Sequence, residues 1–222
     1  MEIKDSLKVW LFIVSFIILT SCGSFVNDIE GNRYRTVRIG DQEWIAENLN
    51  VSHFRNGDSI PEARDSKEWQ TAGREGRPVW CYFDNDPANG GKFGKLYNWY
   101  AVNDSRGLAP EKWYIAGNDG WTQLIDYLGG EKVAAEKMKS GTGWQKKCNG
   151  TNESGFSSLP GGYRHYDGGF NRLDENGGGY WWSSEQGFIY ITCSYPLYYS
   201  KGGGSRYFTS KARGFSVRCI KY

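Results

Sequence analysis

Cysteines are the residues of this chain best suited by type to do chemistry, and there are five. The first, Cys22, follows Leu19-Thr20-Ser21. Small residues directly before a cysteine form the signature of lipid attachment, so Cys22 is the expected lipidation site. The other four are Cys81, Cys148, Cys193 and Cys219. An even set in an oxidising compartment points to disulfides, and spacing alone leaves every pairing open. His53 and His165 are the only histidines, and no pair of cysteines has a zinc-ligand spacing, so no zinc site is expected.

Oxygen ligands and nucleophiles give equally little. Asp84, Asp86 and Asn89 offer oxygens, but Asn89 stands where a calcium loop of the EF-hand type needs glycine. The cluster reads as a turn, and the neighbouring carboxylates Asp174 and Glu175 as solvated. No nucleophile elbow, zinc-protease helix or Walker loop is present. The expectation is a non-enzymatic chain without cofactor or metal. Binding is a better prospect. Tyr190, Tyr195, Tyr198, Tyr199 and Tyr207 lie among small residues between Gly187 and Arg213. Tyrosine supplies large contact area at low entropic cost, so these five are the candidate ligand contacts.

The elements that must hold these residues begin with a leader. Lys4 and Lys8 precede an apolar run from Val9 to Leu19, which is too short to span a bilayer core of about 20 residues. Residues 1–21 read as a signal peptide, 22–32 as a lipidated tether and 33–222 as one domain. Gly23 after the cysteine, in place of an inner-membrane-retaining aspartate, favours the outer membrane, with either face open. Lys+Arg number 27 against 25 Asp+Glu, without a basic tract, which argues against a nucleic-acid partner. The expected partners are the membrane, through the lipid, and an envelope glycan or protein.

Tyr34 to Ile39 and Gln42 to Ile45, with Gly40-Asp41 between them, predict a β-hairpin. Asn56 to Arg77 is a charged excursion with a short helix near Ser66 to Thr71, a candidate docking surface. Val79 to Phe83 reads as a strand, and Leu96 to Val102 as strand or helix. Trp121, Leu124, Ile125 and Leu128 predict the main helix, capped by Asn118 and ended by Gly129-Gly130. Glu131 to Lys139 is a second, short helix presenting Val133, Ala134 and Met138. Strands then follow at Tyr180–Ser184, Phe188–Cys193, Arg206–Thr209 and Gly214–Ile220. In the last of them, Phe215, Val217 and Cys219 share one face. Arg218, on the other face, reads as a paired structural arginine. The order makes the fold α+β, antiparallel strands with long irregular loops.

Ordered blocks carry a resemblance. They are Thr36 to Leu49, Trp80-Cys81-Tyr82-Phe83-Asp84-Asn85-Asp86-Pro87 and Gly94-Lys95-Leu96-Tyr97-Asn98-Trp99-Tyr100-Ala101-Val102. Further on come Gly107-Leu108-Ala109-Pro110, Leu159-Pro160-Gly161-Gly162-Tyr163-Arg164, Tyr180-Trp181-Trp182-Ser183-Ser184 and Gly214-Phe215-Ser216-Val217-Arg218-Cys219. Together they resemble the Fibrobacter succinogenes major paralogous domain family. The resemblance implies an exported lipoprotein of Bacteroidetes-like bacteria with a C-type-lectin-like fold, akin to the formylglycine-generating enzymes. It implies no established activity. The calcium-site tripeptides of C-type lectins are missing, and so is the reactive cysteine pair of the oxidases, where Cys193 stands alone. Because Cys81 and Cys219 both lie in family blocks, the resemblance favours pairing them, leaving Cys148 with Cys193.

Overall fold

The computed structural model describes residues 24–145, 148–171, 178–185, 187–192, 198–199 and 209–221. Cys22, Cys193, Tyr195 and Tyr207, the leader, Arg206, and the Asp174/Glu175 pair lie outside them. The chain folds as a mixture of antiparallel sheets and short helices. A five-stranded sheet runs β1-β2-β3-β12-β6, built from Phe25–Asn27, Arg33–Ile39, Gln42–Ile45, Cys219–Lys221 and Tyr114–Ile115. The expected hairpin is its β2–β3 pair, with Ile39 opposite Gln42 across the Gly40-Asp41 turn. Two small ladders follow, β4 (Trp80–Cys81) with β5 (Leu96–Tyr97), and β7 (Tyr163–Arg164) with β8 (Phe170–Asn171). A three-stranded sheet joins β9 (Gly178–Trp182), β10 (Phe188–Thr192) and β11 (Tyr198–Tyr199).

The tether expected over 22–32 is folded from Ser24 onward. Phe25 pairs with Arg35, and Thr36 N–H donates to the Ser24 carbonyl at 2.8 Å. Asp28 accepts from the Tyr34 hydroxyl at 2.7 Å and the Asn32 amide at 2.8 Å, which closes the turn into β2. The strand expected at Val79–Phe83 is shorter than its pattern, and Leu96–Val102, read as strand or helix, is both in turn. Each is a two-residue strand followed by a helical turn, at Phe83–Asn85 and in α3 (Trp99–Val102). A further four-residue helix, α2 (Gly90–Phe93), lies between them.

The expected main helix is α4 (Asn118–Tyr127), and the short helix expected near Ser66 to Thr71 is α1 (Ser66–Glu75), equally ten residues long. Trp121, Leu124, Ile125 and Leu128 are buried, as their spacing requires. Asn118 is not the cap of α4 but its first residue, after Gly117, and its N–H is accepted by the Glu185 carboxylate. A carboxylate from the chain after β9 thus serves the helix N-terminus, where negative charge is favoured. In α5 (Glu131–Met138), Ala134, Ala135 and Met138 are buried and Val133 faces out.

Alternating side chains feed two clusters. Trp44, Trp181 and Ile220 join α4 and α5 in one. Ile45, Trp182, Phe215, Val217 and Cys219 join the other, so the three residues expected on one face are buried together. The expected strand Gly214–Ile220 is nevertheless reduced to β12 (Cys219–Lys221), after isolated bridges at Gly214, Phe215 and Ser216. A third cluster gathers Trp69, Ala72, Cys81, Phe83 and Leu96.

Between the clusters lies a polar node. The Asn48 side-chain carbonyl accepts from Arg218 Nε and Trp181 Nε1, both at 2.7 Å. Its amide donates to the Phe93 carbonyl at 2.8 Å and the Ser216 hydroxyl at 3.2 Å. Arg218 also donates to the carbonyls of Ile45 and Phe156, each at 3.0 Å, and stacks on the Phe156 ring at 4.4 Å. Burial pulls its proton affinity down to about 9, so it is still charged at neutral pH. Among the described residues no carboxylate forms an ion pair with it. Arg218 is structural, as expected, but backbone carbonyls take the place of the expected pairing. Gly94 is dictated by the same node. A Cβ there would sit 2.6 Å from the Leu49 carbonyl oxygen, on a backbone with φ +69.

Asn48→Ala removes the acceptor shared by two buried donors. Each such orphan costs about 1–3 kcal/mol, so the variant should lose roughly 2–5 kcal/mol in urea unfolding with an unchanged m-value. A loss below about 0.5 kcal/mol would contradict this reading.

Candidate functional site

The excursion and the end of the tyrosine-rich stretch, far apart in sequence, meet around α1. The helix starts at Asp65, whose carboxylate accepts from Glu68 N at 2.8 Å, while the Glu68 carboxylate accepts from Arg64 N at 2.7 Å. It ends at Gly76 in the left-handed conformation, φ 66. Trp69 and Ala72, three positions apart, turn inward. Trp69 Nε1 donates to the Ala212 carbonyl at 2.8 Å. Gly73 allows the contact, since a Cβ on it would lie 2.6 Å from that of Ala212.

The turn between β7 and β8 closes the other side. His165 N donates to the Gly169 carbonyl at 2.7 Å, and Gly168 sits at φ +87. Two side chains of α1 hold this turn: Gln70 donates to the Asp167 carbonyl at 2.6 Å and Ser66 to that of Gly168 at 3.2 Å. Asp167 pairs with His165 at 3.0 Å. The Gly169 N–H and then His165 hold its carboxyl below the usual carboxylate range. Tyr166 packs against His165 with the rings tilted by 38° and their centres 4.0 Å apart, and leaves 51% of its surface exposed.

Gln70, Gly73, Arg74, Tyr166, Asp167, Ser210 and Ala212 together line a surface groove of about 340 Å³. The buried Arg164 ties its walls together. It donates to the Gly168 carbonyl at 3.2 Å and the Ala63 carbonyl at 2.9 Å, and its guanidinium stacks on Trp69 at 4.8 Å. On the opposite flank of α1, Pro61, Glu62, Asp65, Lys67, Thr71 and Arg77 help line a second groove of about 510 Å³.

The sequence candidates fare unevenly. Tyr190 and Tyr198 are register partners between β10 and β11, and Tyr199 faces Ile189. The structure describes these three in backbone only, and Tyr195 and Tyr207 not at all. Of the stretch Gly187 to Arg213, it is Ser210 and Ala212, near its end, that line the groove. Tyr166, Asp167 and Gln70 escaped sequence reasoning, although an aromatic inside His165-Tyr166-Asp167-Gly168-Gly169 is a turn-tip signal. Asp86 and Asn89 are turn formers, the first accepting from Ala88 N and the second donating to the Phe83 carbonyl. Among the described residues no three His, Cys, Asp or Glu side chains converge as a metal site needs.

The chain matches the Fibrobacter succinogenes major domain over residues 37–221. It belongs to this family. The family's match takes in Asn48, Arg164 and Arg218, and with them both the polar node and the walls of the groove. No curated protein and no solved structure matches it.

The cysteines correct the pairing that family blocks favoured. Cys81 and Cys219 are free, buried thiols in separate clusters, so they do not bridge. Burial pushes the Cys81 thiol up to about 12 despite the neighbouring Arg164, and raises that of Cys219 further. Cys148 is disulfide-bonded to a partner outside the described residues. In the native protein at pH 8, iodoacetamide should leave Cys81 and Cys219 unmodified, and both should label after unfolding without reductant. Recovery of a peptide joining Cys81 to Cys219 would refute this.

Proposed function

We propose that this protein is an outer-membrane lipoprotein, anchored through Cys22, whose domain has a C-type-lectin-like layout and binds an envelope glycan without chemical turnover. The leader and its terminal cysteine support the anchor. No helix among the described residues is long and apolar enough to cross a membrane. Antiparallel sheets combined with two ten-residue helices support the layout.

The observation that carries the binding reading is the Tyr166 groove. A half-exposed ring stands beside Gln70, Arg74, Asp167 and Ser210, all capable of hydrogen bonding. An apolar plate with a few fixed polar groups suits a sugar ring, which has apolar faces and a polar edge. Preorganisation helps: Gln70 and Ser66 already hold the turn, so little order is lost on binding. An oxidase akin to the formylglycine-generating enzymes fits less well, since Cys81 and Cys219 are apart and protonated at neutral pH. A second reading, assembly into a surface complex, is favoured by the larger groove, where Glu62, Asp65, Lys67 and Arg77 mix both signs of charge. That groove lies on the excursion read as a docking surface.

On a glycan array probed with the full chain, Tyr166→Ala should weaken the strongest hit about tenfold, or ~1.4 kcal/mol, without lowering the melting temperature. Cys22→Ala should abolish acyl labelling and membrane retention. An array without hits, together with capture of an envelope protein that depends on Lys67 and Glu68, would replace the glycan reading by the assembly reading.

A further inference from the structure

The segment Ser210 to Arg213 has two faces. Ser210 and Ala212 line the Tyr166 groove. Lys211 and Arg213 turn instead to aromatic rings, with the Lys211 ammonium 4.6 Å from the Trp99 ring centre and the Arg213 guanidinium 5.5 Å from that of Tyr163. Arg213 N–H donates to the Ser210 carbonyl at 3.0 Å and Trp99 N–H to that of Lys211 at 2.9 Å, so the backbone that presents both cations is fixed. Arg74 reaches the same groove from α1 and donates to Thr71 Oγ1 at 3.1 Å.

These cations differ from most of the arginines elsewhere on the surface. Arg35, Arg64, Arg77 and Arg106 each pair with a carboxylate. Among the described residues, Arg74, Lys211 and Arg213 form no ion pair. A ring holds a cation in place but does not neutralise it. The single acid lining the groove, Asp167, is already engaged by His165. Anions accept most strongly, and the planar guanidinium fork matches carboxylate and sulfate groups.

We infer that the ligand of this site is an acidic polysaccharide bearing carboxylate or sulfate groups, received by Lys211, Arg213 and Arg74 while Tyr166 stacks on a sugar ring. The inference rests on the glycan-binding reading above and narrows it to one class. A polymer suits the arrangement because its acid groups recur along the chain and reach cations on both sides of one turn.

The test uses the full chain in detergent micelles against polygalacturonate and chondroitin sulfate, with dextran and mannan as neutral probes and glycerol-3-phosphate as a competitor. The acidic polymers should bind, and should weaken at least about tenfold as salt screens the cations. Arg213→Gln and Lys211→Gln should each weaken binding by about fivefold or more. Arg38→Gln, on β2, should change nothing. If one variant melts early, the other carries the comparison. Salt-insensitive binding of dextran or mannan equal to that of the acidic polymers would overturn the acidic class and leave the glycan reading standing. Binding of none of the four polymers would overturn both. Displacement by millimolar glycerol-3-phosphate but not by galacturonate oligomers would move the site to phosphate headgroups, against this inference.

Discussion

The interaction on which the rest of the structure depends is the shared acceptance, by one Asn48 oxygen, of hydrogen bonds from Arg218 and Trp181. A fully buried guanidinium without a carboxylate is expensive unless its donors are met. Here backbone carbonyls of Ile45 and Phe156 and the Phe156 ring meet them. The chain after β3, the end of α2, β9 at Trp181 and the approach to β12 are therefore fixed to one another. A slip of one residue in any of them strands a charge in the core. Such a node adds modest net stability and excludes alternative packings. Three aromatic-rich clusters can then form in one register with few long helices.

A second buried arginine does for the site what the first does for the frame. Arg164 joins the β7–β8 turn to the lead of α1 and stacks on the tryptophan that anchors that helix. Its backbone also pairs with Gly214, the start of the run leading to Arg218. Groove and node are thereby mechanically continuous. The blocks that mark the family serve mainly as frame: Cys81 is a buried thiol, Asp86 a turn former, and Ser183 a hydrogen-bond partner of Asn118. The groups that line the groove come from the turn tip, from α1 and from the end of the tyrosine-rich stretch.

What the sequence revealed follows from range. The β2–β3 hairpin and the buried face of α4 are short-range patterns, and both are present as read. The cap of α4 was misread because Glu185 arrives from the turn after β9, distant in sequence, and displaces the local candidate. The first strand was missed because Phe25–Asn27 is too short to show alternation, and it is paired only by virtue of β2. The cysteine pairing failed because membership in recurring blocks carries no distance, and Cys81 and Cys219 lie in different clusters. Tyr166 went unnoticed because turns have no period. The groove was legible only in part, through the excursion and the Gly187 to Arg213 stretch, and nothing in either segment says that they meet.

The central claim is a division of labour between a rigid polar-locked frame and a groove built on its edge. Amide hydrogen exchange with and without bound polygalacturonate tests it most directly. The account predicts slow, ligand-independent exchange at Leu49, Trp182 and Phe215, whose amides bond within the frame. It predicts ligand-dependent protection confined to residues 66–75, 163–171 and 209–213. Protection centred on residues 61–68 and 77–79 alone, or fast exchange around Asn48 in the free protein, would contradict it.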